Sequence, residues 1–259
     1  MADALTRFAA RWYSVPLVLA VWEALARTGV ISKRLMPSLV EIALAAWDAL
    51  MSGNLLFHAS ISLGRALTGY ALAIAAGVLL GVAMARSRLF DALFEPLFSF
   101  GYPVPKIALY PIFIFAFGFG SLSKVMLIFL ECLYPITVNA FYGMRSIDRV
   151  HVWAARNMGA SQRQIFWRVL LPGAAPSIFA GLRIALPISL IVVIITEMIG
   201  ESRGLGYYIS YASASFEYAT AFAGVAAVAV IGFTLDRLLV WLRTRLIFWE
   251  HGAAFIGAT

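Results

Sequence analysis

The sequence predicts an all-α, polytopic membrane protein of about six transmembrane helices, from its composition, the length of its apolar runs and the siting of its charges. Of 259 residues, 62% are hydrophobic and 13% charged. With a mean hydropathy of +0.88, the chain carries more apolar surface than a soluble 28.3 kDa domain buries. At about 20 residues per span, this length holds roughly six crossings and short loops, with no room for a soluble catalytic domain beside them. The lone Cys132 excludes an internal disulfide, and His58, His151 and His251 lie too far apart to suggest a metal site.

The first span is read from about Phe8 to Ala26 and is the weakest, because Glu23 interrupts it; with no small-residue cleavage site after it, it reads as retained. Residues 27–62 are too polar to cross. They contain an amphipathic helix starting near Ser38 and ending at Ser52-Gly53, expected to lie along the outer surface. The second span, about Leu63 to Ala85, sets Gly69, Gly77 and Gly81 on one face, which allows close contact with another helix. The third starts near Leu89 and is broken at Tyr102-Pro103-Val104-Pro105-Lys106 and again at Pro111, because prolines there deny the helix its hydrogen bonds. The fourth runs from about Lys124 to Tyr142, the fifth from Ser177 to Ile199 and the sixth from Ala219 to Leu242.

Loop charges orient these spans. Eleven basic residues (Arg7, Arg11, Arg86, Arg88, Arg145, Arg149, Arg156, Arg163, Arg168, Arg243, Arg245) fall on the side of both termini, against six (Arg27, Lys33, Arg34, Arg65, Lys124, Arg203) on the other. The positive-inside rule then makes both termini cytoplasmic. The net charge of +7 follows from this topology and needs no nucleic-acid partner; lipid is the surrounding medium.

Between the fourth and fifth spans, Asp148 can cap a helix that stops at Gly159. Ser161 with Gln164 then forms a capping box opening a second helix, which Pro172 is expected to terminate. A cationic helix-Gly-helix on the cytoplasmic side is suited to being gripped by a partner; the plainer reading is a structured connector.

No catalytic residue stands out. A G-x-x-x-x-G-K-[ST] phosphate loop is absent, GFGSLSK at 118–124 has the wrong spacing, and no Ser, Cys or His is set beside an activating base. The chain is expected not to be an enzyme. Candidates for a solute pathway are the polar groups that a bilayer should exclude: Tyr102, Lys106, Tyr110, Glu131 and Glu197. Lys106, between broken helical halves, either meets an anionic solute or snorkels, or else pairs with Glu131 or Glu197. Glu131 and Glu197 are packing anchors or gate elements. Arg183 is expected to snorkel to the cytoplasmic surface, and Ser189 and Thr196 to hydrogen-bond between helices.

Trp153-Ala154-Ala155, three residues, Gly159, nine residues and Val169-Leu170-Leu171-Pro172 resemble the EAA loop of permease subunits of bacterial binding-protein-dependent ABC importers. The likeness extends through Met36-Pro37-Ser38, SLGRALTGY at 62–70, PVPKIALYPIFIFAFGFG at 103–120 and EMIGESRGLGYYI at 197–209. It is strongest to the branch that includes aliphatic sulfonate, taurine and nitrate or bicarbonate permeases.

The resemblance implies the type I ABC importer permease fold (MetI-like), with residues 1–259 as one transmembrane permease domain, an outer segment at about 27–62 and a coupling loop at about 145–176. It implies a multi-pass protein of the bacterial inner membrane, paired as a homodimer. Its partners would be a periplasmic solute-binding protein and a cytoplasmic ATP-binding subunit that holds the ATP and Mg²⁺, this chain having no cofactor of its own. Ala154, Ala155, Gly159, Ala160 and Ser161 would form the docking core, with Arg156, Arg163 and Arg168 at its rim and Pro172 at its end. Trp153 departs from the family, standing where a glutamate is usual. The expected solute is a small anion such as a sulfonate, taurine, nitrate or an organic acid. Two other classes compete. An ion-coupled secondary carrier or channel would normally show inverted repeats and several midplane carboxylates, and a membrane scaffold would not need a broken, lysine-bearing span.

Overall fold

The computed structural model describes residues 13–28, 32, 35–101 and 103–249. Among them every regular element is a helix or helical turn. They divide into two compact units: residues up to Ile61 with Glu197–Ala229, and Ser62–Thr196 with Val230 onward.

In the first unit, α1 (Ser14–Thr28) and α2 (Leu39–Met51) are joined by side chains from α1. Trp22 Nε1 donates to the Pro37 carbonyl at 3.1 Å, and Glu23 accepts the Leu39 N–H at 2.8 Å while pairing with Arg27. Glu23, which interrupts the apolar run, therefore helps to cap the next helix and cancels an orphan amide at its start. Helix α1, which falls on the first expected span, is 15 residues long, short for a crossing, and the expected start at Phe8 lies outside the described residues. Helix α2 opens on a reciprocal capping box between Ser38 and Glu41.

Four described helices are long and apolar enough to cross a membrane: α3 (Asn54–Arg86), α6 (Ser121–Arg145), the run Gln162–Glu197, and α11 (Tyr218–Leu246). The first, second and fourth of these contain an expected span and extend beyond it; the run Gln162–Glu197 starts before the expected Ser177 and ends two residues short of the expected Ile199. The third expected span is a pair bent by 91°, α4 (Arg88–Gly101) followed by a 3₁₀ turn (Lys106–Leu109) and α5 (Tyr110–Phe117). Pro111 does not break it a second time. It sits in the first turn of α5, where its missing N–H would have had no partner anyway.

The loop divides into α7 (Arg149–Asn157) and α8 (Gln162–Ile165), followed by a π-turn (Phe166–Leu170) and α9 (Leu171–Glu197). Pro172 terminates nothing, contrary to expectation. The helix runs unbroken for 36 residues from Gln162 to Glu197. Directly before the proline, the Leu171 N–H reaches the Phe166 carbonyl five residues back, and this widened turn relieves the clash that a proline ring brings. Pro176 and Pro187 are likewise carried inside α9, as intramembrane prolines can be.

The core of the second unit gathers on α6. Leu127, Ile128, Cys132, Ile136 and Ala140 are fully buried there, against Ala66, Tyr70 and Ala73 of α3 and Ala174, Leu182, Ala185 and Val193 of α9. The glycine stripe of α3 meets α6 as the spacing predicts. A Cβ on Gly69 would lie 2.7 Å from Ile128 Cγ2, and one on Gly81 2.5 Å from the Thr137 carbonyl. Such proximity gives dispersion contacts that larger residues would forfeit. Tyr70 adds a hydrogen bond to the Leu182 carbonyl at 2.9 Å.

Three polar expectations are corrected. Ser189 donates to Leu186 and Thr196 to Val192 and Val193, all carbonyls of their own helix, which satisfies the hydroxyls without a neighbour. Arg183 does not simply snorkel. Its fork grips Asp236 of α11 at 2.8 and 3.3 Å, and Arg237 also reaches that carboxylate at 2.6 Å. Arg65 and Lys124, counted as outer-loop charges, are buried within helices. Arg65 donates to Ser121 Oγ at 2.9 Å, and Lys124 to the Phe119 carbonyl at 3.0 Å.

Candidate functional site

Two arrangements in the second unit concern function. The first is the hairpin of α7 and α8. Asp148 accepts the Val150 N–H at 2.9 Å, and Ser161 and Gln164 exchange capping-box hydrogen bonds at 2.8 and 3.3 Å, both as the sequence predicts. Between them Gly159 adopts φ +82°, a left-handed turn that a side chain would oppose. Ala155, Gly159, Ala160 and Gln164 line a concavity of ≈ 350 Å³ with Met158, Ile165, Arg168 and Val169. Trp153 is 57% exposed and Met158 86%, and Ala154, Arg156, Ser161 and Arg163 are also exposed. Pro172 lies past this concavity, half-buried in the first turn of α9. The hairpin thus exposes both large apolar or aromatic groups and guanidinium groups.

The second arrangement surrounds Lys106. Tyr102 lies outside the described residues. Lys106 opens the 3₁₀ turn, half-buried, with Nζ 5.6 Å from the centre of the Tyr134 ring, a cation-π approach. On one side of this pair lies a concavity of ≈ 380 Å³ lined mainly by apolar groups, Leu80, Phe94, Leu97, Phe98, Leu130 and Leu133 among them. On the other lies one of ≈ 430 Å³ containing Glu131, Pro135, Val138, Asn139, Ile184 and Ile188. Lys106 and Tyr134 border both. Lys106 and Glu131 therefore share a chamber, and among the described residues no ion pair joins them.

Tyr110 does not line either chamber. It is 2% exposed, donates to the Thr196 carbonyl at 3.2 Å and lies under Lys124 Nζ. Glu197 belongs to the first unit, is 1% exposed and accepts the Gly206 N–H at 3.1 Å. In the same bracket the Gly204 N–H donates to His58 Nδ1 at 3.0 Å, and the His58 ring packs beside Tyr207 and Tyr208. Glu197 thereby anchors the start of α10 (Leu205–Ala214). Sequence reading missed Tyr134 and Asn139. The available signal was the helical spacing of Glu131, Pro135 and Val138 on α6, opposite its buried Ile128-Cys132-Ile136-Ala140 face.

Known proteins resemble this chain in sequence and fold. The chain is 32% identical over 244 residues to the "Taurine transport system permease protein TauC" of Escherichia coli (strain K12), covering 92% of this chain and 88% of that one. It is 32% identical over 235 residues to the "Putative aliphatic sulfonates transport permease protein SsuC" of Bacillus subtilis (strain 168), covering 91% and 85%. Over another 235 residues it is 32% identical to the "Formylaminopyrimidine transport permease protein ThiX" of Halalkalibacterium halodurans, covering 90% and 93%. The fold matches a chain from an inward-facing structure of the MetNI methionine ABC transporter with a TM-score of 0.54 at 18% identity, covering 81% of this chain and 98% of that one. Residues 73–248 match the family described as "Binding-protein-dependent transport system inner membrane component". The all-helical core, the hairpin and these matches agree, and the chain belongs to that family, the transport permeases of ABC importers.

Proposed function

We propose that two copies of this chain, each one transmembrane permease domain, form the inner-membrane pathway of an importer for a small anionic solute. Both termini and the 145–176 loop lie on the cytoplasmic side. A cytoplasmic subunit there binds ATP and Mg²⁺ and docks on Trp153, Ala154, Ala155, Gly159, Ala160 and Ser161, with Arg156, Arg163 and Arg168 at the rim. A periplasmic binding protein delivers the solute. The observation that carries this reading is the continuity of Gln162–Glu197, because a push on the hairpin is then a push on a membrane span. Trp153, in place of an acidic residue, makes the docking contact aromatic and apolar, continuous with exposed Val150 and Met158. An ion-coupled carrier offers no use for such a hairpin.

For the solute, Lys106 supplies a cation beside two chambers, and two of the relatives above are named for taurine and aliphatic sulfonates. Copurification is the first test: the tagged chain should bring an ATPase subunit with it, and isolation of the chain alone would overturn the reading. In the assembled importer, Lys106→Met should cut uptake of an anionic solute at least tenfold while the complex still assembles; unchanged uptake would return Lys106 to a packing role. Gly159→Trp should leave the chain inserted but weaken ATPase capture. The left-handed turn costs a non-glycine residue about 1 to 2 kcal/mol, and the indole enters the docking concavity. Full capture and full uptake by that variant would count against docking at Gly159.

A further inference from the structure

We propose that the outward face of α11, near its C-terminal end, binds an anionic phospholipid, with Arg237 and Arg245 gripping the headgroup and Val230 and Phe233 supporting the acyl chains. The inference goes beyond the importer reading and does not depend on what is carried.

Helix α11 turns two unlike faces. Ile231, Leu235 and Leu239 recur every four residues and pack against the core of the second unit. Phe233, Arg237, Trp241 and Arg245 recur at the same spacing about 200° round the helix, and all four are exposed. Each guanidinium on this row rests on the ring one turn before it. Arg237 Cζ lies 5.3 Å from the centre of the Phe233 ring, and Arg245 Cζ 5.7 Å from that of Trp241. Stacking occupies the flat face of a guanidinium and leaves its in-plane N–H donors to other acceptors.

Charge on this face is not balanced. Asp236 receives both Arg183 of α9, at 2.8 Å, and Arg237, at 2.6 Å. Two guanidiniums on one carboxylate leave a positive charge over, and Arg245 adds another. The 29 residues of α11 run about 43 Å, longer than the hydrocarbon layer of about 30 Å, so its charged last turns reach the headgroups. A basic face between two membrane helices at that level suits an anionic headgroup. Val230 and Phe233, exposed on the same face and deeper along the helix, give the acyl chains an apolar bed. A second copy fits this face poorly, because a two-fold contact would bring the same cationic row from both sides.

Native mass spectrometry of the purified full-length chain tests this, with phosphatidylglycerol and phosphatidylcholine of identical acyl chains as probes. The wild type should retain phosphatidylglycerol about tenfold better, the worth of a charge-assisted hydrogen bond. Arg237→Gln combined with Arg245→Gln should bring that ratio close to one. Arg88→Gln combined with Arg149→Gln, the same loss of charge at exposed positions elsewhere, should leave it unchanged. Equal retention of the two lipids by the wild type overturns the proposal without recourse to any variant. An equal loss of preference in both variant pairs also overturns it, leaving a diffuse attraction to a cationic protein. So does a preference that survives in the Arg237 and Arg245 pair; if that pair also splits a dimer, the face is an interface between copies.

Discussion

Gly204→Ala is expected to destabilise the chain by about 2 to 6 kcal/mol, the sum of a backbone strain and the loss of a buried hydrogen bond. Gly204 has φ +110° and ψ 164°, a conformation that residues with a Cβ adopt only under strain of about 1 to 3 kcal/mol. An alanine Cβ would also fall far inside contact distance of Glu197 Cδ and both its oxygens. Glu197 is 1% exposed, so its carboxylate cannot swing into solvent without reopening the bracket. Moving it takes the acceptor from the Gly206 N–H, at about 1 to 3 kcal/mol for a buried group left short of its partner. Against a total stability of about 5 to 15 kcal/mol this is a large fraction. The unfolding midpoint of the solubilised chain should fall, and proteolysis between residues 198 and 204 should quicken. Gly53→Ala is the control. Gly53 has φ +74° with nothing within 4 Å of a new Cβ, so only the conformational cost of about 1 kcal/mol applies. Equal effects of the two substitutions would mean that Gly204 is conserving backbone freedom alone and that the Glu197 contact carries no weight.

What was legible in the sequence was what short-range chemistry decides. Asp148 and Ser161 with Gln164 each announce a helix through a cap made within three residues, and both caps form. The helix start near Ser38, read from its amphipathic pattern, also forms, on a capping box with Glu41. The stripe of Gly69, Gly77 and Gly81 is likewise local, and it marks the face that meets α6. The misreadings share a different cause. Pro172 carries the same local penalty in any sequence, but a π-turn directly before it absorbs the clash, and nothing in the residue types signals that turn. Arg183 finds Asp236 53 residues away, and Lys124 finds carbonyls at the start of its own helix. A charge inventory alone cannot distinguish such residues from ones that face water. The chamber around Lys106 was half legible: the broken span and its lysine were read directly. Tyr134 and Asn139 became visible only once α6 was known to bury its Ile128-Cys132-Ile136-Ala140 face and so to turn the opposite one toward Lys106.

Substituting both Arg168 and Val169 by glycine should abolish most uptake while the ATPase subunit remains bound and hydrolyses ATP. These two residues lie in the π-turn between the capped start at Ser161 and the span that ends at Glu197, and the run is one helix through them. Each glycine costs the helix about 1 kcal/mol relative to alanine, so two place about 2 kcal/mol of weakness at a turn that is already irregular. Motion of the hairpin would then be taken up by bending at 168–169 instead of travelling along α9. Import per ATP hydrolysed should drop at least tenfold. The matched pair Arg168→Ala with Val169→Ala removes the same side chains, the rim contact of Arg168 included, but keeps a strong helix former at both sites, and should import far more per ATP hydrolysed than the glycine pair. The difference between the pairs therefore isolates the backbone from any docking contact that Arg168 makes. If the glycine pair imports as well as the alanine pair, the force does not run through α9. It would then have to enter through the other arm of the hairpin, from Arg149–Asn157 into Ser121–Arg145, where α6 already carries the Lys106 chamber on its exposed face.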